Sequence, residues 1–164
     1  MLPLKRNTNY TQGAEIKSAD LNDIQDMIIA GKHGEIPLQL NSSNAAIVSG
    51  GMRPHGDGYL VDQGLATYHI PTLLGTRVKS VRVFCKDSPG ARVRAQLAEL
   101  DVTSGGILFR SGPMISNATG ANQSFLLPNL TAPPTAVGRR LHVRVVAEAN
   151  SQRIYGVTVF VERA

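Results

Sequence analysis

The residues with chemistry to offer are four histidines, His33, His55, His69 and His142, and a single cysteine, Cys85. No two of the histidines stand at metal-ligand spacing and no Cys/His cluster accompanies them, so no metal site is expected. The tightest polar grouping is His55-Gly56-Asp57, set in a glycine-rich stretch. A His and an Asp flanking one glycine either form a small polar binding site on a loop or complete an ordinary turn. His55 and Asp57 are the candidate loop site. Nucleophilic and phosphate chemistry have less to stand on. No serine sits in a nucleophile-elbow context, and Gly50-Gly51 is not followed by the Lys-Ser pair of a phosphate-cradling loop. The chain is expected to be no enzyme and to need no cofactor.

Positive charge is the other chemical resource. The net charge is +5 and the pI near 9.7, yet no dense Lys/Arg cluster appears. Arg82, Arg92, Arg94 and Arg144 each alternate with apolar neighbours. If their strands are adjacent they make one basic sheet face; otherwise they are solvated and balanced by nearby acids. Four scattered arginines reach few phosphates, and the chain lacks tryptophan. Its few Tyr and Phe fall mostly on presumed core positions, so nucleic acid is not an expected partner. Arg92, Arg94 and Arg144 are expected to face solvent or carboxylates.

These side chains need elements to hold them, and the strongest pattern is near the C-terminus. Leu141, Val143, Val145 and Ala147 occupy every second position, as in a half-buried strand. Asn150-Ser151-Gln152 supplies turn residues. A second β-branched run then places Tyr155, Val157, Val159 and Val161 against Ile154, Thr158, Phe160 and Glu162. Two such runs around a short polar turn predict a hairpin. Gly156 inside the second run marks a bulge or a close backbone approach.

Upstream, Ile36-Pro37-Leu38-Gln39-Leu40 reads as an edge strand, because proline cannot donate to a central ladder. Cys85 continues the alternation of Val81 and Val83 and reads as a small core residue. Asp87-Ser88-Pro89-Gly90 is a turn, and residues 101–106 form another before Ile107-Leu108-Phe109. Repeated short strands between turns predict an all-β fold, an antiparallel β-sandwich of jelly-roll-like type.

The N-terminal part differs. Residues 1–17 read as an extended polar arm without a signal-peptide core. Ser18 then caps one short α-helix that ends at Gly31. Leu21, Ile24, Met27 and Ile28 form its apolar side, and at about three turns it must dock to be stable. These four are the candidate assembly residues. The expected division is 1–33 as arm and helix, 34–57 as connecting loops and short strands, and 58–164 as the sandwich. With 42% hydrophobic residues and no long apolar run, neither disorder nor a membrane is expected.

The run Tyr10-Thr11-Gln12-Gly13 to Ser18-Ala19-Asp20-Leu21-Asn22-Asp23-Ile24-Gln25-Asp26 resembles the opening of many tailed-bacteriophage structural proteins. In that family a polar arm leads through a Ser-Ala-x-Leu-Asn helix start into a β-rich domain. Ile70-Pro71, Gly75-Thr76-Arg77-Val78 and Ile154-Tyr155-Gly156-Val157 resemble the jelly-roll or sandwich domains that follow. The resemblance implies a non-enzymatic virion component from capsid decoration, neck or tail fibre. Such a component assembles with copies of itself and with neighbouring virion proteins. A carbohydrate- or surface-binding sandwich module is the alternative, with a host-surface glycan as the partner.

Overall fold

The computed structural model describes residues 35–71, 76–128, 130 and 137–163. The expected arm and helix, with Leu21, Ile24, Met27 and Ile28, lie outside the described residues, as does His33. In chain order the first strands are β1 (Ile36–Leu40), β2 (Ala45–Gly50), β3 (Arg53–Pro54), β4 (Leu60–Val61), β5 (Gly64–His69) and β6 (Thr76–Lys86). There follow β7 (Val93–Asp101), β8 (Ile107–Phe109), β9 (Met114–Ile115), β10 (Asn122–Leu127), β11 (Arg139–Ala147) and β12 (Arg153–Arg163).

They form two antiparallel sheets. The first has the order β10-β6-β12-β4-β3, with β1 sharing the free edge of β12 beside β4. The second has the order β2-β5-β11-β7-β8, with β9 beside β8 on the edge of β7. The chain changes sheet at most connections, and the result is the expected β-sandwich. β1 with its Pro37 is an edge strand, as expected. The segment 34–57 contributes β1, β2 and β3, and all three pair into the sheets. Among the described residues no helix is long and apolar enough to cross a membrane.

Alternation explains the core. Leu141, Val143, Val145 and Ala147 of β11 face inward with Val93, Ala95 and Leu97 of β7. From the opposite sheet Val78, Val81, Val83 and Cys85 of β6 meet them, with Ile154, Val157, Val159 and Val161 of β12. Removing this apolar surface from water is the main stabilising term. Glu99 breaks the apolar pattern and is still buried. Arg110 Nε and Nη2 reach its carboxylate at 3.1 and 2.9 Å, and Arg139 Nη1 at 2.7 Å.

One expectation needs correction. β11 and β12 do not form a hairpin, because they lie in different sheets and face each other across the core. Each run has its own apolar face, and a sandwich buries both by opposing them, whereas a hairpin would line them up on one sheet. Of the two readings left open for the arginines, one basic face holding all four is not formed. Arg82 belongs to the first sheet, while Arg94 and Arg144 belong to the second. Arg94 Nε contacts the Glu148 carboxylate, and Arg144 lies 5.1 Å from the Phe109 ring centroid.

Gly156 sits at a bulge and at a close approach. Ile154 pairs with Cys85 and Gly156 with Phe84, which leaves Tyr155 as the extra residue. Gly156 has φ +158°, and a Cβ there would come within 2.7 Å of the Leu40 carbonyl oxygen. Ile154 and Val157 both face the core although three positions separate them. A regular strand cannot do that, since its side chains alternate; one extra residue restores the parity.

Candidate functional site

The bulge decides where Tyr155 goes. Strict alternation had placed Tyr155 on the core face with Val157, and Ile154 outside. Instead Ile154 is buried and Tyr155 stands half-buried on the outer face of the first sheet. From there its hydroxyl reaches over β6 and donates to Asn122 Oδ1 of β10 at 2.8 Å.

The short β3–β4 hairpin brings the second part. Its loop is closed by His55 N–H donating to the Tyr59 carbonyl at 2.7 Å and Gly58 N–H donating to the His55 carbonyl at 2.9 Å. Gly58 has φ +85°, a conformation that glycine takes without strain. Tyr59 precedes the buried Leu60 and so points outward. Its ring stacks on His55 with centroids 4.4 Å apart and 8° between planes. It meets Tyr155 edge-on at 5.7 Å, and the Arg153 guanidinium carbon lies 5.1 Å from its centroid. The three rings and Arg153 hold one another through stacking and cation–π contact.

Polar groups surround the rings. Asp57 Oδ2 lies 3.3 Å from His55 Nδ1, and that nitrogen also accepts the Asp57 backbone N–H at 3.3 Å. The Asp57 side chain is 77% exposed and ready to accept hydrogen bonds. Behind the loop, Asp62 fastens the hairpin to the β11–β12 connection. Arg53 Nε donates to Asp62 Oδ2 at 3.0 Å and Ser151 N–H to Oδ1 at 3.3 Å. The Arg53 hydrogen bond, then that from Ser151, holds the Asp62 carboxyl below its usual range.

The structure therefore places both loop residues named from sequence, His55 and Asp57, at the edge of an aromatic patch. Tyr59, Tyr155, Arg153 and Asn122 were missed. The aromatics are also less internal than expected: Tyr68 is buried, but Phe84 and Phe109 are exposed and Tyr59, Tyr155 and Phe160 half-buried. The signal available for Tyr155 was Gly156. Asn122, the first residue of β10, joins the patch, whereas Asn117 donates its N–H to Gln123 Oε1. Among the described residues no group of three His, Cys, Asp or Glu side chains could hold a metal.

Such a surface can pack the C–H face of a flat, hydroxyl-rich ring against Tyr155, which Tyr59 braces edge-on, while Arg153, Asn122 and Asp57 engage its hydroxyls. No family model matches the sequence, and no curated protein matches it. Solved structures do resemble the fold. The CBM36-1 domain of a multidomain xylanase from the hindgut metagenome of Trinervitermes trinervoides superposes with a TM-score of 0.51 at 10% identity, covering 79% of this chain and 98% of that one. The CBM22-1–GH10 modules of Clostridium thermocellum endo-1,4-β-D-xylanase 10B, solved with xylohexaose, give 0.50 at 14% identity, with 79% and 28% covered. Both are similar to this chain in fold.

Proposed function

We propose that this chain is a glycan-binding β-sandwich that holds its ligand against the Tyr59–Tyr155 patch. The observation that carries this is the row of rings, His55, Tyr59 and Tyr155, left on the outside of a sheet and rimmed by Arg153, Asn122 and Asp57. The core needs none of these rings. The fold likeness to the xylanase modules agrees with the proposal but does not replace the site as its basis. Binding without cleavage is the role we assign. Glycosidic-bond hydrolysis uses two carboxylates, and on this patch Asp57 stands beside His55 while Asp62 is held by Arg53.

The test is a glycan array probed with the wild-type chain and with Tyr59→Ala, Tyr155→Ala and Asn122→Ala. Losing one stacking ring should weaken binding about tenfold or more. An array without hits sinks the proposal, as does a hit that both tyrosine variants retain.

A second role, assembly as a virion component displaying that glycan site to a host surface, is favoured by one further observation. Large apolar side chains stand exposed along both edges of the second sheet: Ile47 and Val48 on β2, Ile107, Leu108 and Phe109 on β8, Met114 and Ile115 on β9. Exposed apolar edges are surfaces that pair with other chains. Mass measurement in solution tests this, and a chain that stays monomeric at every concentration speaks against it.

A further inference from the structure

A second polar surface lies on the outer face of the second sheet, away from the Tyr59 patch. The outward side chains of β11 are, in order, Arg140, His142, Arg144 and Val146, and a two-residue step spans about 6.8 Å along a strand. The register sets His142 between His69 of β5 and Ala98 of β7, with Phe109 of β8 next in the row. One row along, Arg144 stands between Thr67 and Gln96. The Phe109 ring, 5.1 Å from the Arg144 guanidinium carbon, steadies that side chain by cation–π contact. Beyond Val146 the face ends in a pocket of about 530 Å³ whose lining includes Gly50, Gln63, Leu65 and Asn150.

The charges on this face are unbalanced. Among the described residues no carboxylate pairs with Arg140, His142 or Arg144. Glu148, just past the end of β11 and lining the pocket, is engaged by Arg94 and by the backbone N–H of Arg92. Burial first, then Arg144 and His69, pushes the His142 imidazole below its ordinary pKa, as expected where cations crowd without an anion.

We infer that this face is a second ligand site, for a saccharide chain bearing carboxylates, with Arg144 taking the carboxylate and Thr67 and Gln96 the flanking hydroxyls. It extends the glycan reading to another face and stands on different residues. Charge complementarity selects an acid, and a guanidinium grips a carboxylate with two parallel hydrogen bonds. A nucleic acid fits less well. Two arginines neutralise about two phosphates, for a weak logarithmic salt slope of about −1.4 on a single strand. Phe109 beside them already faces a guanidinium and is not free for base stacking.

The experiment compares retention of the full chain on polygalacturonate, on its fully methyl-esterified form and on single-stranded DNA. The wild type should bind the free acid and not the ester. Arg144→Gln should weaken that binding about tenfold or more, with Arg144→Lys intermediate because it keeps charge without the fork. Circular dichroism confirms that both variants are folded, and a third, Arg140→Gln, provides an independent weakening if either is not. Tyr59→Ala should leave polygalacturonate binding intact. Equal binding of acid and ester, indifference to Arg144→Gln, or tighter retention on DNA overturns the inference. Loss with Tyr59→Ala alone also overturns it, while leaving the first patch standing.

Discussion

Replacing Gly156 with alanine should destabilise the sandwich far more than replacing Gly58, although both glycines have positive φ. At Gly58, with φ +85°, an added Cβ meets open space, so only the backbone penalty applies, about 1 kcal/mol. At Gly156, with φ +158°, the added Cβ lies 2.7 Å from the Leu40 carbonyl oxygen, where ordinary contact begins at 3.4 Å. β1 must therefore retreat by about 0.7 Å, and a backbone oxygen cannot rotate aside as a side chain can. Leu40 pairs with Val157, so that retreat disturbs the β1–β12 ladder itself. Backbone strain and overpacking each cost about 1–3 kcal/mol, which puts Gly156→Ala at about 2–6 kcal/mol. For a chain of this size that corresponds to a fall in Tm of roughly 4–24 °C. Thermal unfolding of the two variants beside wild type measures the difference. A Gly156→Ala protein that melts within about 2 °C of Gly58→Ala would refute the close approach.

Burial, then the nearby Asp87, raises the Cys85 thiol to about 12, so a thiol reagent at pH 8 should leave the native chain untouched and label it on adding denaturant. The Glu99 carboxyl is held below its ordinary 4.5, chiefly by Arg110 and further by Arg139. Its stabilising contribution is therefore complete above pH 4.5 and is lost as pH falls through the lower folded value, so Glu99→Gln should flatten the acid side of a stability–pH curve. Tyr68 is fully buried and its hydroxyl finds no hydrogen-bond partner among the described residues. Tyr68→Phe should leave stability unchanged or raise it by about 1 kcal/mol, and a clear loss in a denaturant titration would show that the hydroxyl is satisfied after all.

The fold was legible where one residue's neighbours decide its state. Alternation in 141–147 marked β11 and its inward face, and Pro37 marked an edge. Residues 101–106 marked a turn, in which Asp101 Oδ1 accepts the N–H of Thr103 at 2.9 Å. Pairing was less legible. Asn150-Ser151-Gln152 suits a hairpin and a crossing between sheets equally well, since both need only a reversal of direction. What separates them is which apolar face opposes which, and that depends on β5, β6 and β7, far away in the sequence. The arginines taught the same lesson, because Arg82 and Arg144 share a pattern but not a sheet.

The candidate site shows why its loop half could be read and its strand half could not. His55 and Asp57 lie two positions apart, so their grouping is visible in any window that contains them. Tyr59 and Tyr155 are brought together only because β4 pairs with β12 through Leu60 and Ile154. Asn122 arrives through a different pairing, β10 with β6. Even with those pairings known, alternation would bury Tyr155, because Val157, Val159 and Val161 fix the inward face of β12 and odd positions share it. The extra residue at the bulge reverses that assignment for everything N-terminal to Gly156: Ile154 turns inward to the core, and Arg153 and Tyr155 turn outward. Gly156 is therefore required twice, once so that β1 can lie against β12 and once so that the aromatic patch has its second tyrosine.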